Sequence, residues 1–155
     1  MKNRENTLRV LLDTSFILPT LGIRVGSEIE ECLKRLREIN AEIHYSIFSI
    51  LESIWIATNL MEESEFDFDR FKLGLRSVIE AKKYKRVTED TEVFIKAFNL
   101  YNMGHVDIID NILYADSIYF DLKLLTVDSE LRKFIRDKGL KDTIMFPSQV
   151  QKMNL

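Results

Sequence analysis

Cysteine is almost missing: Cys32 is the only one in 155 residues. That excludes an intrachain disulfide and a cysteine-rich zinc site. Histidine is nearly as scarce, with only His44 and His105, and both read as structural rather than catalytic. The 2 prolines and 5 glycines are scattered, so no linker, repeat or low-complexity tract divides the chain. No apolar run approaches the ~18 residues of a membrane-crossing helix. The opening MKNRENTLR is polar and leads straight into a strand pattern, unlike a secretory signal. A cytoplasmic protein with no membrane association is expected. Positive charge is not in excess: 22 Lys and Arg face 25 Asp and Glu, for a net charge of −3. Overall charge therefore does not mark a general nucleic-acid binder. A local basic patch is what phosphates would feel.

What the chain does have is enough apolar sequence for a core. With 46% apolar residues over 155 positions, one domain spanning residues 1–155 is expected. Strand and helix patterns alternate, which predicts an α/β fold: three layers, α/β/α, around a central, mainly parallel sheet of four to five strands. The segments Leu8–Asp13 (LRVLLD), Ile43–Phe48, Leu122–Val127 (LKLLTV) and Thr143–Phe146 read as strands, with a shorter one near Arg86–Val87. Helical spacing appears over Glu28–Ile39, where Ile29, Cys32, Leu33, Leu36 and Ile39 share a stripe. Further helices are predicted over Ser49–Met61 with Ser49 as N-cap, Asp69–Lys85, Thr88–Asn102, Asp107–Phe120 and Glu130–Lys138, the last closed by Gly139.

The placement of acids carries the functional signal. Asp13 ends the first strand and Asp128 follows LKLLTV directly. In parallel α/β sheets, ligands bind beyond the carboxyl ends of strands. Glu52 falls early in the helix after the second strand, and Asp110 near the start of the helix before LKLLTV. Crossover helices run against the strands, so their N-termini open at the same rim. Carboxylates gathered there repel one another, and a bound cation removes the conflict. Oxygen-only ligands suit Mg²⁺ or Mn²⁺ better than zinc. Each acid also has a structural reading. Asp13 could cap its own turn with Thr14 and Ser15. Ser49 to Glu52 spells a capping box. Asp107 reads as the cap of its helix with Asp110 in the first turn, and Asp128 could cap the next helix.

The segments LLDTSFIL, FSILESIWI and DIIDNILYADSIYFDLKLLTVDSEL, taken in order, resemble the PIN domain family of metal-dependent ribonucleases, especially its small toxin-like VapC members. The resemblance runs from Leu8 to Phe146. It implies Asp13, Glu52, Asp110 and Asp128 as metal ligands for Mg²⁺ or Mn²⁺, with Ser15 and Thr126 as hydroxyl helpers in the catalytic set. It implies endonucleolytic hydrolysis of single-stranded RNA, by the toxin of a toxin–antitoxin pair or by an RNA-processing enzyme. An antitoxin protein is then an expected partner. The alternative is a catalytically silent PIN-like module that binds RNA or serves as a scaffold. Asp116 stands where the family commonly has a small or hydroxyl residue.

Other residues carry less. Two basic stretches, Arg70–Arg86 and Arg132–Lys141, could track a phosphate backbone, but the run Lys82–Arg86 reads first as a solvated face. Arg24 is a rim candidate. Trp55 reads as a core or dimer contact, and a homodimer is expected. Cys32 reads as inert core.

Overall fold

The computed structural model describes residues 6–63 and 65–154. The β1 strand (Arg9–Leu12) carries the alternation that organises everything else. Val10 and Leu12 point to one face of the sheet and Leu11 to the other. β2 (Glu42–Tyr45) and β4 (Lys123–Leu125) pair with β1 on its two sides. β3 (Lys85–Arg86) extends the sheet beyond β2, and β5 (Ile144–Met145) beyond β4. All four pairings are parallel, in the order β3-β2-β1-β4-β5. Every strand therefore ends at one rim.

Helices cover both faces. On the Val10 side lie α1 (Thr14–Ile17), a 3₁₀ turn (Leu18–Leu21), α2 (Ser27–Glu38), α3 (Ile47–Leu60), α4 (Phe68–Ile79) and the short α8 (Pro147–Gln151). Their core is built from Phe16, Leu36, Ile50, Phe71 and Val78 around Leu12 and Leu125. On the Leu11 side lie α5 (Thr91–Asn102), α6 (Ile108–Tyr119) and α7 (Ser129–Asp137), with Leu113, Leu124, Leu131 and Ile135 packed together. Cys32 is fully buried in the first of these cores, and burial pushes its thiol up to about 12, as inert packing requires. The three-layer parallel α/β reading holds, with five strands.

Several boundaries differ from the expected ones for local reasons. α3 begins at Ile47, not after Ser49. Ser46 leaves the strand in an extended conformation and its Oγ accepts from the Phe48 amide, so Ser46 is the cap. Ser49 is instead buried in the first turn, and the Ser49–Glu52 capping box does not form. Glu52 thus sits in the second turn of α3. α5 begins at Thr91 behind an Asp90 cap, which leaves Thr88 and Glu89 in the loop after β3. α4 ends at Ile79, so Lys82–Lys83 are not helical. α1, the 3₁₀ turn and α8 carry too few residues to show a period.

α4 presses its backbone onto the 3₁₀ turn at Gly74. A Cβ there would sit 2.4 Å from the Thr20 carbonyl oxygen and 2.7 Å from the Leu21 Cα. Both obstacles are main chain, so a substituted side chain could not be accommodated by rotamer changes. Gly74→Ala is expected to destabilise by about 1–3 kcal/mol despite alanine's better helix propensity. A urea melt with an unchanged midpoint would contradict this close approach.

Candidate active site

The rim is built by caps. Asp13 follows β1 and caps α1, its Oδ1 accepting from the Thr14 amide at 2.6 Å. Its Oδ2 accepts from the buried Thr126 hydroxyl at 2.7 Å. Thr126 Oγ1 in turn accepts from the Asp128 amide at 3.0 Å. One hydroxyl thus ties the end of β1 to the end of β4. Asp128 caps α7, its Oδ1 accepting from the Glu130 and Leu131 amides at 2.9 and 3.1 Å. The capping bonds use one carboxylate oxygen and leave Oδ2 to face elsewhere.

Asp110 enters from α6. Its amide donates to Asp107 Oδ1 at 3.1 Å, so Asp107 is the helix cap as expected. Asp110 is half-buried and lies within hydrogen-bond reach of Asp128. Burial, then the charges of Asp13, Asp107 and Asp128, push its carboxyl well above the usual carboxylate range. Burial likewise lifts Asp13 to about 6. The Thr126 and Thr14 hydrogen bonds oppose that rise, and the charges of Glu52 and Asp128 add to it. Asp13 thus feels the charges of Glu52 and Asp128, and Asp110 those of Asp13 and Asp128. Ser15, the second residue of α1, is half-buried, but the hydroxyl that holds Asp13 is that of Thr126.

Among the described residues, no three His, Cys, Asp or Glu side chains already close around a point as metal ligands would. The chemistry of the set still fits a divalent cation. The donors are hard oxygens, and the raised Asp13 and Asp110 carboxyls reflect burial first and then neighbouring negative charge, which a cation would relieve.

Asp107 and Asp110 have different jobs in this geometry. Serine caps about as well as aspartate, so Asp107→Ser is expected to leave metal affinity and fold unchanged. Loss of Mn²⁺ affinity in that variant would make Asp107 part of the site.

Residues outside the rim find local roles. His44 Nε2 meets Glu42 Oε1 at 2.7 Å, and His105 Nδ1 meets Asn111 Oδ1 at 2.7 Å, so both histidines are structural. Lys85 pairs with Glu42 at 3.0 Å, close to the start of β2 rather than at the acidic rim. Lys133 pairs with Asp137, Arg136 with Asp142, and Arg132 stacks over Phe146. Arg24 lines a hollow with Glu63, Glu65 and Asp67, a setting that repels phosphate. Trp55 is 54% exposed and so is not core. The buried Asp116 meets the half-buried Glu89 in an unanticipated contact. A charged residue inside the apolar run ILYADSIYF was the available signal for it.

The PIN domain family model matches residues 10–136. The chain belongs to the PIN domain family, whose members are generally divalent-metal-dependent nucleases. Among solved structures, it resembles a chain of a toxin–antitoxin complex from Klebsiella pneumoniae, with a TM-score of 0.57 at 13% identity over 89% of this chain and 97% of that one. It also resembles a chain of FitAcB from Neisseria gonorrhoeae, with a TM-score of 0.56 at 12% identity over 90% and 98%. At such identities the likeness is one of fold. No curated protein matches it in sequence.

Proposed function

We propose that the protein is a metal-dependent endoribonuclease that hydrolyses phosphodiester bonds of single-stranded RNA. The observation that carries this is the pair of raised carboxyls at the carboxyl ends of β1 and β4: Asp13, lifted by burial and by the charges of Glu52 and Asp128, and Asp110, lifted by burial and by the charges of Asp13, Asp107 and Asp128. Asp13, Glu52 and Asp110 would hold Mg²⁺ or Mn²⁺, with Asp128 presenting the carboxylate oxygen its cap leaves over. Divalent metal supplies, when bound, acidification of water and neutralisation of charge on the phosphate oxygens. Thr126 fixes Asp13 Oδ2 so that the carboxylate is oriented before substrate arrives. Ser15, two residues on in α1, would serve as a polar helper toward the phosphate. Domain boundaries of 1–155 and a cytoplasmic setting belong to the same reading; among the described residues, no helix is long and apolar enough to cross a membrane.

The toxin of a toxin–antitoxin pair is the form we favour, since one of the solved structures it resembles is a chain of a toxin–antitoxin complex. An antitoxin protein is then the partner. A homodimer is supported by an apolar stripe on α5, where Phe94, Ile95, Phe98 and Tyr101 are exposed while Val93, Ala97 and Leu100 are buried. Trp55 and Ile54 add exposed apolar surface on α3, whose Phe48 meets Phe94 edge-on.

One observation favours the alternative of a silent RNA-binding or scaffold module: among the described residues, no three acids already close around a point. Incubation of purified protein with single-stranded RNA separates the two. Internal cleavage is expected with Mg²⁺ or Mn²⁺ and none with EDTA. Binding without cleavage under every metal condition would select the scaffold.

A further inference from the structure

Asp116 lies on α6, in the same helix as Asp110, and has no exposed surface. Both of its carboxyl oxygens lack a hydrogen-bond partner. The group within reach is another acid, Glu89, in the loop between β3 and α5. Asp116 is sealed from water and Glu89 is half-buried, and two carboxylates in such contact repel strongly unless a proton or a cation lies between them. Glu89 Oε1 also accepts from the Ser46 hydroxyl. Ser46 Oγ accepts from the Phe48 amide at 3.2 Å and caps α3. The contacts therefore run without a break from α6, which carries Asp110, through Asp116, Glu89 and Ser46, to the first turn of α3, which carries Glu52.

The elements around Asp116 bear other charged groups: Glu52 on α3, Asp90, Glu92 and Lys96 at or before α5, and Lys123 on β4. Asp90 is held by the Tyr119 hydroxyl and the Glu92 amide. Burial acts first on Asp116, and Glu89 is the neighbour whose charge bears on it, so the carboxyl rises to about 9. Among the described residues, no basic side chain bears on Asp116, and a lone proton is the smallest charge that satisfies the contact.

We propose that Asp116 and Glu89 share one proton, and that this neutralised pair, tied to Ser46, is a strut that sets the spacing of α6 and α3 and so of Asp110 and Glu52. Asp116 and Glu89 are positioning residues; neither touches substrate or metal. The consequence for metal binding rests on the nuclease reading, whereas the shared proton and the strut do not.

A carboxyl raised in the folded state contributes stability that is full below its unfolded value and is lost as pH rises through the folded one. The window here runs from about pH 4 to about pH 9. In EDTA, wild type is expected to lose melting temperature across that window. Asp116→Asn donates to Glu89 without titrating, so its curve should fall less steeply and cross above that of wild type. Parallel curves would overturn the shared proton. Mn²⁺ added to an Asp13→Asn, Asp110→Asn background tests for a cation instead. Stabilisation there that is abolished by Asp116→Asn would also overturn the proton.

Amide exchange tests the strut. Asp116→Ala is expected to speed exchange in the first turn of α3 by about tenfold or more, leave α2 unchanged, and be rescued by Asp116→Asn. Should Asp116→Ala fail to fold, Glu89→Ala cuts the same link and leaves the Ser46 cap in place. Unchanged exchange in α3 would overturn the strut. Mn²⁺ affinity is expected to weaken about tenfold in Asp116→Ala, the scale of an outer-shell loss, and to recover in Asp116→Asn. If α3 responds while wild type neither binds Mn²⁺ nor cuts RNA, the strut stands and the nuclease reading falls.

Discussion

Asp13→Asn is expected to lose metal-dependent RNA cleavage by more than about 100-fold, since even the loss of a ligand's outer partners costs about 10–100-fold. The fold should survive. Asparagine keeps an oxygen to accept from the Thr14 amide, and its amide group is nearly isosteric with the carboxylate that meets Thr126. What it loses is charge at the centre of the set, because Asp13 is the residue on which both Glu52 and Asp128 act. A circular-dichroism melt within a few degrees of wild type, beside a single-turnover cleavage assay, separates lost chemistry from lost structure. Cleavage at the wild-type rate would remove Asp13 from the mechanism.

Asp110→Asn should move stability in opposite directions with and without metal. The Asp110 carboxyl is raised by burial and by Asp13, Asp107 and Asp128. A raised carboxyl stabilises the fold at low pH and loses that contribution as pH rises through its folded value. Near neutral pH in EDTA, wild type thus bears a repulsion that the neutral amide does not. The variant should melt higher by roughly 2–4 °C for each kcal/mol relieved. The gap should close as pH falls below about 4, where the carboxyl becomes protonated in both states. With Mn²⁺ at about 100 times its Kd, wild type should gain about 2.7 kcal/mol by mass action, and the variant much less. A metal-free variant that melts lower and still gains as much from Mn²⁺ would make Asp110 a helix-start residue only.

Features set by nearby residues were legible in the chain. Asp107 caps α6 because an aspartate three positions ahead of a helical amide meets it by local geometry alone. Asp128 follows a run of β-branched and leucine residues, so its place beyond β4 needed only the strand pattern. The parallel order followed from alternation of strands and helices. Ser46 was harder. The sequence Tyr45–Ser46–Ile47–Phe48 is as apolar and β-branched as a strand, and only the Ser46 hydroxyl turning back to the Phe48 amide ends it. That shift moved Glu52 from the first turn of α3 to the second, on to a rim facing Asp13. β3 has two residues and is held by its pairing with His44 and Tyr45, a tertiary fact with no period of its own. The Asp116–Glu89 contact joins residues from different elements and leaves only an oddity in sequence: an acid in an apolar helix.

The central claim is that Asp13, Glu52, Asp110 and Asp128 form one cation site. Diffraction from crystals grown with Mn²⁺, recorded for its anomalous signal, tests it most directly. A peak is expected at the carboxyl ends of β1 and β4, at ligand distances of roughly 2.0–2.3 Å from Asp13 and Asp110 and nearer Glu52 than Glu89. An ordered Mn²⁺ elsewhere, or a rim without one in crystals of protein that still cuts RNA, would contradict it.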